Sequence, residues 1–193
     1  LVDRALAALP GGPQAGVRVP GAMDGFEVAA RVVLGQQVTV KAACTLVQRL
    51  VDRFGTPVQT PWPALTHVFP DAVTIAAADP EVIGKLGIVR QRVKALQALA
   101  AEMAAGRLEL HPAAPLAPTL DALRALPGVG EWTAQVIAMR ALAWPDAWPA
   151  TDIGLMNALG TRDPKQVAAR AEAWRPWRAY AVMALWHRLE NTA

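Results

Sequence analysis

Two short stretches carry residues whose types and spacing could do chemistry. The first is Leu126-Pro127-Gly128-Val129-Gly130-Glu131-Trp132-Thr133-Ala134. Pro127 cannot continue a helix, and Gly128 and Gly130 reach backbone angles closed to other residues. The glycines also clear side chains from the start of the segment that follows. If that segment is a helix, its unpaired N–H groups and its dipole favour an anion such as a phosphate. Gly-Val-Gly alone reads equally as a tight turn. The second stretch is Trp148-Pro149-Ala150-Thr151-Asp152. On spacing alone Asp152 is an N-cap, a role that also fixes a carboxylate in place. Asp146 reads as a turn residue. Further from these stretches, Gln36-Gln37 is a polar pair breaking an apolar run, and Trp186 sits in Ala184-Leu185-Trp186-His187.

The elements that must position these residues read as helices. Leucines at 120, 123 and 126 predict a helix over Thr119–Leu126, and Glu131–Leu142 contains no Pro or Gly. The Leu126–Ala134 stretch is therefore a hairpin between two helices. Earlier in the chain, Leu1–Leu9 predicts a short helix, followed by a Pro10–Pro13 linker. Asp24 with Glu27 forms a capping box for a helix to Leu34. Val38–Phe54 is amphipathic and ends at Gly55 and Pro57. Thr56–Pro70 is irregular, with room for a short hairpin. Asp71–Ala77, Pro80–Leu86 (Asp79 its cap) and Ile88–Ala105 are helical, the last with apolar positions 89, 93, 96, 100 and 103. His111–Pro118 is a Pro-rich loop. Asp152–Leu159, Asp163–Trp174 and Trp177–Leu189 complete the set, the last buried over Tyr180–Trp186, with Trp177 and Tyr180 as packing residues.

Leu-Pro-Gly-Val-Gly-x-x-Thr-Ala, followed about twenty residues later by Asp152 behind Trp148-Pro149, resembles the helix-hairpin-helix and catalytic aspartate of the HhH-GPD DNA glycosylases. The resemblance runs from about Val19 to Leu189 and is strongest to the alkylation-repair, AlkA-like branch (DNA-3-methyladenine glycosylase II). It implies an all-α fold of two helical subdomains with the active-site cleft between them. One subdomain covers about 40–118; the other joins 19–39 to 119–193, with 1–18 as an N-terminal helix and linker.

The implied activity is base-excision repair. An alkylated purine of the 3-methyladenine type is flipped from duplex DNA and its N-glycosidic bond hydrolysed, leaving an abasic site. One carboxylate suffices in principle. The transition state carries oxocarbenium-like positive charge that a nearby anion stabilises, and a base alkylated at N3 or N7 is already cationic and leaves readily. By resemblance, Asp152 is catalytic, and Trp132 and Trp186 stack the cationic base. Trp132 stands where lyase-competent members have a Lys, so no Schiff base can form and no strand nicking is expected. Gln36, Gln37, Gly128, Val129, Gly130 and Thr133 are the implied DNA contacts, Gln37 matching a wedge that fills the gap left by the flipped base. The backbone carbonyls of Arg124, Leu126 and Val129 match a site for a monovalent cation, Na+ or K+; no other cofactor is required. Two departures stand out: Glu131 occupies a position commonly basic, and Val136 one commonly Tyr.

Composition sets the outer limits. The chain has 193 residues, 53% hydrophobic, with sixteen prolines lying mostly between the apolar segments, which suits a helical bundle with short connections. Net charge is +3, fifteen of nineteen basic residues being Arg, compatible with phosphate binding without proving it. The single cysteine, Cys44, excludes an internal disulfide and a four-Cys iron–sulfur cluster, and His67, His111 and His187 are too scattered for a zinc site. No stretch is long and apolar enough to span a bilayer, and no signal-peptide pattern is present. The expectation is a monomeric bacterial cytoplasmic, nucleoid-associated protein that binds double-stranded DNA with alkylated bases and involves no membrane. The absent initial Met suggests a catalytic domain excised from a longer multidomain protein, such as a fusion with an alkyl-transfer repair module. The alternative reading is a non-catalytic helix-hairpin-helix module that binds damaged DNA through phosphate contacts.

Overall fold

Most helices begin where a short polar side chain can close their first turn. The computed structural model describes residues 18–192 together with Arg4, Ala7 and Gly16; the predicted Leu1–Leu9 helix and its linker lie outside the described residues. In α1 (Gly25–Leu34), Asp24 accepts the Glu27 N–H at 2.6 Å, but Glu27 pairs with Arg31 instead of completing the capping box. Thr39 caps α2 (Val40–Phe54), which is why that helix starts two residues later than its apolar pattern suggests. Thr56–Pro57 (β1) and His67–Val68 (β2) pair as an antiparallel ladder, the hairpin allowed for in this irregular segment. Asp71 and Asp79 cap α3 (Ala72–Ala77) and α4 (Pro80–Gly84).

Three successive helices lack a side-chain cap: α5 (Arg90–Ala104), α6 (Leu116–Ala125) and α7 (Glu131–Arg140). α6 begins three residues before the predicted Thr119. Pro118 is accommodated in its first turn, where a backbone N–H has no intrahelical partner to lose. Asp152 caps α8 (Ile153–Ala158), Asp163 caps α9 (Pro164–Ala171), and a short 3₁₀ turn (Glu172–Trp174) leads to α10 (Arg178–Thr192).

Among the described residues the regular structure is helical apart from the small ladder. α3 and α4 pack on α5, α6 on α7, and α8 on α10, while α1 reaches both α5 and α7. α7 is buried on every side from Thr133 to Met139, so its sequence shows no amphipathic stripe. On α5 the buried set is Val93, Ala95, Leu96, Leu99 and Ala100; Val89, counted among the apolar positions of this helix, is instead its exposed N-cap. α10 buries Ala179, Ala181, Val182, Ala184 and Leu185, whereas Tyr180, Met183 and Trp186, within the run expected to be buried, are only half-buried. Among the described residues no helix is long and apolar enough to cross a membrane.

Candidate active site

The hairpin between α6 and α7 is a turn whose chemistry is written in four residues. The Val129 N–H donates to the Leu126 carbonyl at 3.2 Å and Gly128 has φ +77°. With Pro127 ahead of it, this matches a type II turn, which demands a positive φ at its third position. Gly128 is also short of space: a Cβ there would lie 3.1 Å from the Ala95 Cβ on α5. Gly130 is different. It caps α7 in an extended conformation, and a Cβ would meet nothing within 4 Å. With no side-chain cap, the first N–H groups of α7 remain open to a ligand.

Glu131, unusual in an anion-binding position, is spent within the protein. It accepts from Arg124 at 2.7 and 3.0 Å and from Gln135 Nε2 at 2.7 Å. The Arg124 hydrogen bond in particular holds the Glu131 carboxyl below the usual glutamate value. Gln135, buried, accepts the Trp148 N–H at 2.8 Å. One polar chain thus runs from the hairpin into the loop that carries Asp152. The far side of that loop is braced by Asp146, read from sequence as a turn residue. Asp146 is buried and takes Arg178 Nε and Nη2 at 2.7 and 2.8 Å and Arg175 Nη1 at 2.5 Å.

At the end of this braced loop stands Asp152. Its Oδ1 accepts the Leu155 N–H at 2.8 Å, the N-cap bond, and Trp186 Nε1 at 2.9 Å; its Oδ2 accepts Trp132 Nε1 at 2.9 Å. All three donors are neutral, and among the described residues Asp152 forms no ion pair. A carboxylate has about four lone-pair sites, so Oδ2 keeps one free. Trp132 and Trp186 were expected to offer ring faces to a base; what the structure adds is that both touch Asp152 by their N–H edges. Trp132 lines the cleft with Asp152, and Trp186 stands half-buried against the same carboxylate. Val136 is buried and lies off the cleft lining.

The cleft, about 950 Å³, brings together Gln36, Gln37, Gly128, Gly130, Trp132, Thr133 and Asp152, with Val89 and Ile153 as exposed apolar residues on its wall. Gln36 and Gln37 part company there. Gln36 faces inward: its Nε2 donates to the Gly128 carbonyl and to Thr133 Oγ1, both at 2.9 Å, and its carbonyl accepts from Arg92. Its amide N–H groups are therefore taken by the hairpin, not offered to a ligand. Gln37 is exposed, with φ +53°, a strained conformation for a residue with a side chain. Val129 is buried and contributes only its backbone.

Sequence reading missed Gln135, the Asp146–Arg178 pair and Gly154. The first two join residues remote in the chain and leave no local pattern. Gly154 lies inside α8, and what its missing side chain makes room for depends on Trp186, which is remote in the chain.

A helix-hairpin-helix whose second helix has no side-chain cap faces a cleft whose carboxylate has only neutral hydrogen-bond donors, and this arrangement goes with a helical DNA-repair fold. The chain belongs to the HhH-GPD superfamily of base excision DNA repair proteins, whose profile matches residues 30–178. It is 43% identical over 184 residues to the "Probable bifunctional transcriptional activator/DNA repair enzyme AlkA" of Mycobacterium tuberculosis, covering 93% of this chain and 36% of that protein. It is 33% identical over 187 residues to "DNA-3-methyladenine glycosylase 2" of Escherichia coli, covering 97% of this chain and 65% of the relative. The chain thus spans roughly a third to two thirds of the length of these relatives. A Schizosaccharomyces pombe 3-methyladenine DNA glycosylase solved with abasic DNA shares the fold at a TM-score of 0.73 and 20% identity, over 98% of this chain and 96% of that one.

Proposed function

We propose that this chain is a monofunctional DNA glycosylase that removes alkylated purines of the 3-methyladenine type from duplex DNA. The observation that carries the reading is Asp152, an anion held in the cleft by three N–H donors and by no cation. As the N-glycosidic bond breaks, its electron pair leaves with the base and positive charge builds on the sugar. An uncompensated carboxylate stabilises that charge strongly away from bulk water. Its free Oδ2 lone pair faces the remaining task. Water adds to C1′ and gives up a proton, and Oδ2 is the acceptor that can orient or take it. A base made cationic by alkylation leaves neutral, so no protein acid is needed.

The other residues take supporting roles. The open N–H groups of α7 bind a backbone phosphate, with Gly130 leaving room for its approach. Gln37, strained and exposed, enters the duplex where the base has left, and its amide can hydrogen-bond the orphaned partner. Trp132 presents an indole to the cationic base, a cation–π contact worth about 0.5–2 kcal/mol. Having no amine, it forms no Schiff base, so the strand stays intact. The backbone carbonyls of Arg124, Leu126 and Val129 would hold a monovalent cation, which would supply positive charge for binding a DNA phosphate. The Arg124 side chain is engaged by Glu131 and Asp121, and Leu126 and Val129 are apolar, so only backbone oxygens are offered there. The chain works as a monomer on duplex DNA.

The test is to incubate the protein with methylated duplex DNA and identify released bases by chromatography, with and without alkali treatment of the DNA. Free 3-methyladenine, with strand breaks only after alkali, is the expected result. Breaks without alkali would replace the monofunctional reading with a lyase. Binding to an abasic-site analogue with no released base would replace it with a binding module.

A further inference from the structure

Gly154 lies in the first turn of α8, two residues after Asp152. A Cβ built on it would stand 2.9 Å from Asp152 Oδ1, 3.2 Å from Trp186 Cδ1 and 3.2 Å from Trp186 Nε1. Those are the atoms of the Trp186–Asp152 hydrogen bond and its immediate neighbour. No positive φ accompanies them, since Gly154 is absent from the positive-φ glycines. Backbone freedom is therefore not what this position demands. Ala is favoured over Gly by about 1 kcal/mol in a helix interior and by less in a first turn, so helix propensity gives no reason for glycine here.

We infer that Gly154 is a positioning residue: its missing side chain is the space through which the Trp186 N–H reaches Oδ1 of Asp152. Trp186 comes from α10, thirty-four residues beyond Asp152. Its N–H edge therefore contributes to the reaction through the carboxylate. With Oδ1 filled by Trp186 and by the Leu155 N–H, the carboxylate is held in one rotamer. Oδ2 becomes the oxygen left to act on the sugar or the water. Any side chain at 154 displaces the indole or turns the carboxylate, and either change releases that rotamer. The inference rests on the glycosylase reading for its catalytic consequence, but the hydrogen bond itself can be observed without turnover.

The experiment uses the whole chain labelled with ¹⁵N. The indole N–H signals of Trp132 and Trp186 are assigned from the spectra of W132F and W186F. In D152A both signals should move, because both lose their acceptor. In G154A the Trp186 signal should move toward its D152A position while the Trp132 signal shifts less. The melting temperature of G154A should fall no further than that of D152A, which loses the cap bond and both indole bonds; a larger fall would mark a folding defect and overturn the inference. In the base-release assay G154A and W186F should each lower kcat roughly tenfold, the loss of one hydrogen bond to a charged group. The double variant should be no worse than W186F alone, since both changes remove the same contact. An unmoved Trp186 signal in G154A overturns the inference whatever the activity, and so do additive losses in the double variant. Absence of base release by the unaltered chain would count against the glycosylase reading alone, and the indole spectra would still decide the role of Gly154.

Discussion

Asp146 and Asp152 sit six residues apart on one loop, and the protein treats them in opposite ways. Asp146 is enclosed by two guanidiniums, those of Arg178 and Arg175. Asp152 is enclosed by two indoles and a backbone amide. Both carboxylates are well hydrogen-bonded, so bonding does not separate them; the charge of the donors does. Guanidinium donors cancel the negative charge of Asp146 and turn it into a brace between the loop and α10. Neutral donors fix Asp152 just as firmly and leave its charge for something else to meet. Firm placement with the charge intact is what a transition state with a cationic sugar would call for.

The largest effect should come from removing the charge that was kept. Asp152→Asn preserves size and the acceptor oxygen of the cap, but base release from methylated DNA should fall at least a hundredfold, on the scale of losing one strong electrostatic contact. Binding to abasic-site DNA should stay measurable. Full activity in this variant would remove the basis of the comparison. Next comes the neutralised carboxylate. Asp146→Ala leaves buried Arg178 with only the more distant, exposed Glu172 at 3.6 Å, which should cost up to about 3–5 kcal/mol of stability in chemical denaturation. Base release per folded molecule should change far less than in Asp152→Asn. If the two variants lose stability and activity in the same proportion, the two aspartates do not divide the work as described.

Smaller effects should follow where the loop and hairpin are tied together. Gln36→Ala removes the amide shared between Gly128 and Thr133 and should weaken stability by about 1–2 kcal/mol. Because the same amide holds the Gln37 turn to the hairpin, affinity for an abasic-site duplex should fall with it; unchanged affinity would show that the turn keeps its place alone. The smallest expected effect is a pH dependence at Glu131. Arg124 chiefly lowers its folded-state value below 4.5, so the bound carboxylate stabilises the fold above that pH. That contribution is lost as the pH falls through the lowered value. The melting-temperature difference between the unaltered chain and Glu131→Gln should be present at pH 7 and shrink toward pH 3. The exposure of this pair keeps the difference small and salt-sensitive.

The fold and the site differed in how much of them the sequence displayed. Helix starts were readable because Asp24, Asp71, Asp79 and Asp163 act within three residues of the N–H groups they bind. The type II turn was readable for the same reason, since Pro127 and Gly128 carry its angles themselves. Asp152 and Trp132 were found through their spacing and family resemblance, and the structure brings them to 2.9 Å. The edge-on use of the indoles was not readable, because which part of a ring meets a carboxylate depends on how α7, α8 and α10 cross. The start of α6 was misplaced because Pro118 looks like a break until its place in a first turn is known. Asp146 looked like an ordinary turn residue because its partners lie 29 and 32 residues away.

Gln36 has one more consequence. Its single amide nitrogen touches the hairpin at Gly128 and Thr133, while its backbone leads directly into Gln37. In the proposed reaction the hairpin grips a phosphate and Gln37 marks the vacated base. These two points then behave as the jaws of a caliper set to one opening. Which phosphate is gripped decides which nucleotide faces Asp152, so a strand drawn past this protein would be inspected one whole nucleotide at a time, with no intermediate register.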